Sequence, residues 1–511
     1  MPEQDQTETV PSVKGSRSME RLAQGPAAPL VRHVLSREVG AWVTMWPHYM
    51  AIQKAHLLML NERGLISREN AHLVAKALNE IRMPQGAPAV VDGSDLYFIM
   101  EKLLIDTAGD AAGGRLHLGR SRNDMNAAAI RMIARDQLIE AFRGTLDLQN
   151  RLLDVAELHV HTIMPGLTHR QAAQPITFGF WLLGLAASID RDLDRLRQAY
   201  RRTNLNPMGA AAFSGTRIDI DRERTTALLG FDGLVENALD AVASRDFLFD
   251  AAFAVGLQAL AVGRAANDLI MWNSNLVGGI EVADATAGVS SIMPQKKNAI
   301  ALEHCRSRAG AIVGALTGLF AIARGTFLEH ARDASDMLAP FSAASEDGRS
   351  VRELFHEVLG SLQVFTDRLA QRAGNGFSTV TDVADWLAVE KSWSFRASHE
   401  VLARAVRIEI DRNPGAETIS AAALDEASSL LGRKSPGIGD DELAQLLDPL
   451  RSVTDRRSRG GTSPASVRAM IAHLRTRSVQ EDAWLTSSIS ALEHAEAQRE
   501  TDFRTLASTG S

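Results

Sequence analysis

Two long stretches of the sequence, residues 250–275 and 299–325, are apolar on every side of a helix and rich in alanine and glycine. A helix without a polar face has to be buried, and small side chains allow its neighbours to approach closely. Both stretches therefore belong in the middle of a helical bundle. No apolar run of about 18 residues lacks a polar break, so we expect no membrane span. Because one monomer rarely buries several such helices, the pattern favours a bundle shared between subunits.

Most of the remaining sequence also predicts helices, and runs of alternating β-branched residues are nearly absent. The first residues are charged and rich in serine and threonine, which is typical of a disordered tail. Gly374-Asn375-Gly376 indicates a boundary before a region of shorter helices. We predict an all-α protein of three domains, with a disordered tail at 1–20, an N-terminal helical domain at 21–120, a central long-helix bundle at 121–373 and a C-terminal helical domain at 374–511.

Charge and cysteine content exclude several classes of protein. The net charge of −7 gives no reason to expect a nucleic-acid partner. The single cysteine, Cys305, excludes an intramolecular disulfide and a cysteine-based metal cluster. His159 and His161 are two residues apart, which on a helix places them on different faces, so we predict no metal site there. The polar N-terminus lacks the apolar core of a secretory signal, so we expect a cytoplasmic protein.

Three separate polar stretches stand out against this helical background. They contain Ser121-Arg122-Asn123, then Thr168-His169, and then a loop around Ser290 in which Pro294 bars a helix. By composition alone the first is equally typical of a solvated turn, and the third of a helix connector. Together they offer cations for carboxylates, a base for a carbon-bound proton and donors for developing negative charge. This set suits a small dicarboxylate.

The order of residues in these stretches resembles a known family. Ser290-Ser291-Ile292-Met293-Pro294-Gln295-Lys296-Lys297-Asn298 is similar to the signature of the fumarase/aspartase superfamily, in the form of its argininosuccinate lyase branch. Gly119-Arg120-Ser121-Arg122-Asn123-Asp124 and Met164-Pro165-Gly166-Leu167-Thr168-His169 resemble the same branch. The resemblance implies an all-α homotetramer built around a 20-helix core, with active sites shared between subunits. It also implies elimination of an amine from an N-succinyl substrate to give fumarate, or the reverse addition.

The resemblance implies a role for each matching residue. Ser290 would be the base that removes the Cβ proton, and Lys296 with Asn298 would bind the carboxylate that accepts the charge. His169 would pair with Glu303, which sets its protonation. The substrate-binding residues would be Ser121, Arg122, Asn123, Thr168, Gln171, Ser291, Asn298, His330 and Ser335. No metal and no organic cofactor is implied.

The sequence departs from the branch's pattern around the amine. Val289 lies where the branch usually has a glycine before the first serine, and Gly288 is one residue earlier. Leu167 replaces the tyrosine that usually precedes Thr168. The other departures are His330 for a tyrosine, Ser335 and Leu338 for a glutamine and a lysine, and Ala299-Ile300 for Pro-Asp. Without these polar partners the guanidinium of a bound substrate would be poorly paired. Each unpaired buried group would cost about 1–3 kcal/mol of binding free energy.

We therefore predict a carbon–nitrogen lyase whose amine is not arginine, for example one acting on an aminopolycarboxylate or a natural-product intermediate. Genuine argininosuccinate lyase and a non-catalytic structural protein on this scaffold are the alternatives.

Overall fold

The computed structural model of the chain describes residues 12–13, 25–83, 89–90 and 95–508. The predicted disordered tail lies outside these residues, except for strand β1 (Ser12–Val13), which pairs in parallel with β2 (Ala89–Val90). The chain has an all-α fold of three domains, as the sequence predicts. The exact domain boundaries stay a prediction.

The N-terminal region is built on three substantial helices that pack beside one another. Ser67 caps one of them by accepting a hydrogen bond from the Asn70 amide, and Asp95 caps another through the Phe98 amide. In chain order the elements are α1 (Ala28–Leu30), a π-helical turn (Val31–Leu35), α2 (Ser36–Gly40), α3 (Trp42–Glu62), α4 (Arg68–Glu80), α5 (Leu96–Ala108), α6 (Asp110–Gly113) and a 3₁₀ turn (Gly114–His117).

Five long helices form the central bundle and share one hydrophobic core. They are α7 (Arg122–Leu158), α8 (Phe178–Thr203), α11 (Asp246–Asn273), α12 (Ile300–Ala323) and α14 (Leu338–Ser361). Helix α7 packs on α8 and α14, and α11 packs on α8, α12 and α14. Shorter elements connect them, namely α9 (Arg222–Leu229), α10 (Ala238–Ala243), a 3₁₀ turn (Asp284–Thr286), α13 (Asp333–Asp336) and α15 (Thr366–Ala373). The two apolar stretches of the sequence are α11 and α12, so their prediction as bundle helices is confirmed.

The two apolar helices differ in how far one chain buries them. In the most apolar stretch of α11, 61% is buried, compared with 22% in α12. One face of α12 presents Gly310, Gly314 and Gly318, and a Cβ built on any of them would meet no atom within 4 Å. By length and composition alone both helices could cross a membrane, but core helices of soluble proteins pass the same test. A single chain therefore leaves much of α12 uncovered.

One β-hairpin joins α7 to α8, and the sequence did not predict it. Strand β3 (Ile163–Thr168) pairs antiparallel with β4 (Gln171–Thr177). Pro165 and Pro175 break the strand pattern in the sequence, and the turn lacks the Asn-Gly or Asp-Gly pair that usually indicates a hairpin. The other strands are two-residue pairs, β5 (Leu205–Asn206) with β6 (Gly233–Leu234), β7 (Ile280–Glu281) with β10 (Gln363–Val364), and β8 (Gly288–Val289) with β9 (Lys297–Asn298).

The C-terminal region divides between two cores. Its first helices enclose a second hydrophobic core, and they are α16 (Val380–Glu390), α17 (Phe395–Arg412), α18 (Ala421–Leu430) and α19 (Asp440–Leu446). After α20 (Pro449–Asp455), helix α21 (Pro464–Ser508) runs for 45 residues and returns to pack on α7 and α8. The sequence suggests only short helices here, because the apolar residues of α21 are few and widely spaced.

Candidate active site

Helix α7 separates the predicted site residues into two groups. Its 37 residues span about 55 Å at 1.5 Å per residue. Ser121, Arg122 and Asn123 lie at its N-terminus, whereas the hairpin that contains Thr168, His169 and Gln171 follows its C-terminus. We call these the arginine end and the hairpin end of the bundle. Within one chain the two groups are therefore about 50 Å apart.

The Ser290 loop belongs to the hairpin end. The last turn of α11 packs against the first turn of α8, where the Trp181 and Trp272 rings are 4.7 Å apart. The segment from α11 to α12 leaves from this point, and strand β7 within it pairs with β10 just after α14. The loop supplies Ser290, Ser291, Lys296 and Asn298, and Glu303 lies in the first turn of α12.

The remaining predicted residues lie at the arginine end. Arg122 and Ser335 line one open cleft of about 940 Å³ between the N-terminal helices and the start of α14. The Nδ1 atom of His330 is 3.3 Å from the Val242 carbonyl oxygen. Burial lowers the pKa of His330, and the charges of Arg245 and Arg122 lower it further. His330 is therefore neutral at pH 7.

A buried carboxylate anchors the arginine end. Asp124 accepts hydrogen bonds from the amides of Ser121 (2.9 Å), Gly209 (3.0 Å) and Ala211 (2.9 Å). The Ser121 hydroxyl in turn accepts from the Asn123 amide, which completes a capping box at the start of α7. Burial raises the pKa of Asp124 to about 6 despite these bonds. The spacing of Ser121 and Asp124 in the sequence is the signal that could have identified this anchor.

The side chains of Arg122 and Asn123 are held by further contacts. Arg122 forms an ion pair with Asp95, and its guanidinium lies 5.7 Å from the centre of the Phe98 ring. The Asn123 amide donates a 3.0 Å hydrogen bond to the Ala212 carbonyl. A guanidinium and an amide are thus presented in fixed positions at the end of α7, which is an arrangement suited to a carboxylate.

The hairpin turn holds His169 in a strained conformation at an exposed tip. His169 and Arg170 have φ values of 52° and 65°, a left-handed region that residues other than glycine seldom occupy. Thr168 pairs with Gln171 directly across the turn. The Arg170 guanidinium reaches α11, where it lies 3.2 Å from the Met271 sulfur and 3.8 Å from Asp268. Such strain is frequently found at functional sites.

The Ser290 side chain is held by the backbone of its own loop. Its oxygen accepts hydrogen bonds from the Met293 amide at 3.0 Å and from the Ile292 amide at 3.3 Å. Two donors on one oxygen favour the alkoxide over the neutral hydroxyl. The side chain is half-buried, whereas residues 291–296 are exposed. This geometry suits a base that must lose its own proton first.

The two lysines of the loop have different surroundings. Lys297 forms ion pairs with Glu281 (3.0 Å) and Asp284 (2.7 Å), and these hydrogen bonds raise its pKa. It therefore stabilises the stem of the loop, which is the pair of strands β8 and β9. Lys296 is exposed at the tip, where its backbone amide donates to the Met293 carbonyl. Lys296, which is predicted to bind a carboxylate, is therefore not the lysine that holds the stem.

Glu303 and His169 form no ion pair with each other in the part of the chain that the structure describes. Both side chains are exposed. Their predicted pairing therefore stays a prediction. Sequence reasoning also missed Arg170, Asp268 and Glu281, whose contacts depend on residues distant in the chain.

Comparison with known proteins gives a consistent picture. A family described as Lyase matches residues 34–314, and one described as Argininosuccinate lyase C-terminal matches residues 377–454. Argininosuccinate lyase 1 of Shouchella clausii is 34% identical over 93% of this chain and 96% of its own length. Argininosuccinate lyase of Halobacterium salinarum is 39% identical over 83% of this chain and 86% of its own length.

Solved structures show similar folds. EDDS lyase in complex with formate has a TM-score of 0.84 and 30% identity, over 93% of each chain. An EDDS lyase variant with bound fumarate has a TM-score of 0.84 and 29% identity, over 96% of this chain and 97% of its own. A class II fumarase from Schistosoma mansoni has the same fold at 17% identity, with a TM-score of 0.68 over 84% of this chain and 95% of its own.

Proposed function

The chain belongs to the fumarase/aspartase superfamily, in its argininosuccinate lyase branch, and on this premise we propose that its substrate is an N-succinyl compound whose amine is not arginine. It is a carbon–nitrogen lyase that gives fumarate. The proposal concerns three finer points, namely the residues that act, the assembly that brings them together and the amine that is released.

The elimination needs a base, an acceptor for charge and a way to bind the second carboxylate. In our proposal Ser290, as an alkoxide held by two amides, takes the proton from the carbon beside one carboxylate. Lys296 and Asn298 stabilise the negative charge that this carboxylate gains. The electron pair then forms the C=C bond of fumarate as the C–N bond breaks. The electrons of the C–N bond go to the nitrogen, which is protonated in the substrate and therefore leaves as a neutral amine. The dicarboxylate is bound by Ser121, Arg122, Asn123, Thr168, Gln171 and Ser291.

The separation of the two ends supports a site shared between subunits. A substrate with a four-carbon succinyl group cannot bridge about 50 Å, so one chain cannot supply Arg122 and Ser290 to the same molecule. We propose a homotetramer in which the five long helices of each chain form a 20-helix core. The uncovered glycine face of α12 offers the surface that such packing requires. His169 and Glu303 would meet across a subunit boundary, and we propose a cytoplasmic location.

The cleft at the arginine end is the observation that supports a different amine. Ser335 and Leu338 both line it, at the positions where the branch has a glutamine and a lysine. A short hydroxyl and a buried apolar side chain cannot replace the polar partners of an amino-acid end. EDDS lyase is named for a substrate other than argininosuccinate and is 30% identical to this chain, so the fold accommodates another amine. The relatives named argininosuccinate lyase support that activity as the second candidate.

The fumarate absorbance of the purified protein tests this proposal. We would supply argininosuccinate, EDDS and a panel of N-succinyl amines, with Ser290→Ala prepared in parallel to exclude a contaminating lyase. We expect turnover of a compound other than argininosuccinate. Efficient turnover of argininosuccinate above all others would instead establish the second candidate.

A further inference from the structure

A loop at the arginine end, which we call the Phe213 loop, is fixed to the start of α7. It comprises residues 209–215. The Ala212 carbonyl accepts a 3.0 Å hydrogen bond from the Asn123 side chain. Two further amides of the loop donate to the buried Asp124. The backbone of this loop is therefore joined to residues that we propose hold the dicarboxylate.

The Phe213 loop presents an apolar side chain to solvent. Ala211 has a φ of 53°, a left-handed conformation that residues other than glycine keep only where their surroundings impose it. Two residues later, the Phe213 side chain is 54% exposed. No charged residue occurs in the loop. An apolar ring is thus held in water, in a fixed position beside Asn123.

The Ser290 loop carries a matching apolar surface. Ile292 is 83% exposed and Met293 is 41% exposed. The amides of both residues donate to the Ser290 hydroxyl, so these side chains accompany Ser290 wherever the loop places it. Residues 289–295 also contain no charged side chain. Both loops therefore expose apolar groups that water solvates poorly.

The proposed elimination brings the two loops together. Ser290 Oγ has to lie about 3.5 Å from the carbon that it deprotonates. The carboxylate held by Asn123 is only about 4 Å from that carbon, because both belong to one succinyl group. With ordinary hydrogen-bond lengths, Ser290 Oγ is then within about 13 Å of the Ala212 carbonyl. Phe213 and Ile292 are one and two residues from these ends, so their side chains can meet across the gap.

The two loops cannot meet within one chain. They lie at opposite ends of the bundle, about 50 Å apart along α7. The contact therefore requires the arginine end of one subunit and the hairpin end of another.

We propose that Phe213 is a positioning residue that packs against Ile292 and Met293 of another subunit and holds the Ser290 loop over the bound dicarboxylate. The contact removes apolar surface of both loops from water, and it excludes water from the proton transfer. This inference rests on the proposed function and adds the surface that receives the catalytic loop.

A disulfide cross-link tests the contact directly. Phe213→Cys and Ile292→Cys would be combined in one chain, and the protein would be oxidised mildly in the presence of fumarate. The Cα atoms of a disulfide are about 4.4–6.8 Å apart, so the bond reports close approach. We expect cross-linked chains in denaturing electrophoresis without reductant. Cys305 should not react, because it is buried and burial raises its pKa to about 12.

Val479 provides a matched control, because it is 70% exposed but lies on α21, away from the Ser290 loop. Its neighbour Ser478 bonds to Asn150, within α7. Phe213→Cys combined with Val479→Cys should give no cross-link. Absence of the Phe213–Ile292 cross-link, or a cross-link no stronger than that of the control pair, would overturn the inference.

Kinetics provide a second test that does not depend on oxidation. Phe213→Ala and Ile292→Ala should each lower kcat by about tenfold, because loop closure becomes less favourable. The double variant should be hardly slower than either single variant, since both remove one contact. Phe213→Leu, which stays apolar, should keep most of the activity. Effects that simply multiply in the double variant would contradict a shared contact.

Mixed oligomers separate this inference from the proposed function. Chains with Arg122→Ala and chains with Ser290→Ala measure the sharing of sites without involving Phe213. Restored activity in the mixture, together with a missing cross-link, would overturn the inference alone. Failure to restore activity would overturn the proposed sharing of sites, and the inference with it.

Discussion

The two ends of the bundle are built in different ways. At the arginine end the residues that would bind substrate are held by buried or paired groups, such as Asp124 beneath Ser121 and Asp95 beside Arg122. At the hairpin end the proposed base Ser290 is half-buried, and His169 is exposed in a strained turn. The comparison teaches that one chain holds the side chains of its arginine end in place by itself. In the proposed tetramer, other subunits would complete the surroundings of His169.

The substitution with the largest expected effect removes the base at the hairpin end. Ser290→Ala should lower kcat by about 10²–10⁴-fold, the usual contribution of a positioned acid or base. The oligomer should stay intact, because within the described part of the chain the Ser290 side chain bonds only to amides of its own loop. Initial rates from fumarate absorbance and the mass of the particle in solution would be measured together. Activity close to that of the wild type would contradict the assignment of Ser290 as the base.

An intermediate effect is expected from removal of the anchor at the arginine end. Asp124→Asn replaces an oxygen that accepts hydrogen bonds with an NH₂ group, so it leaves one or more amides unpaired, at about 1–3 kcal/mol. Urea unfolding should show this loss. KM should also rise, because Ser121 and Asn123 are no longer held.

The pH dependence of the same variant gives an internal control. The pKa of Asp124 in the folded chain, about 6, is above its ordinary value of 3.8. Its contribution to stability is therefore present below pH 4 and is lost as pH rises through 6. The stability deficit of Asp124→Asn relative to the wild type should shrink between pH 4 and pH 6. A deficit that grows over this range would show that burial does not control this carboxyl.

The smallest effect concerns the strained turn at the hairpin end. Glycine adopts the φ of 65° found at Arg170 without steric cost, whereas alanine does not. Both Arg170→Gly and Arg170→Ala lose the contacts with Asp268 and Met271. We expect the glycine variant to be more stable than the alanine variant by about 1 kcal/mol in urea unfolding. Equal stability would mean that the turn relaxes once the arginine is removed.

The sequence predicts the all-α fold and the two bundle helices because their apolar residues follow a helical period over many turns. It does not predict the hairpin, since His169 and Arg170 occupy a turn that normally contains glycine or asparagine. The residues of the site were found through local motifs, such as Ser290 with Lys296. The contact of Arg170 with Asp268 joins separate segments, and no local pattern indicates it.

The central claim is that each site takes its arginine end and its hairpin end from different subunits. Two differently tagged variants, Arg122→Ala and Ser290→Ala, would be produced together and the mixed oligomers isolated through both tags. Each parent alone should be nearly inactive. If subunits assemble at random, about one quarter of the sites in the mixture combine an intact arginine end with an intact hairpin end, so about a quarter of wild-type activity should return. Activity that stays at the level of the two parents would contradict the claim.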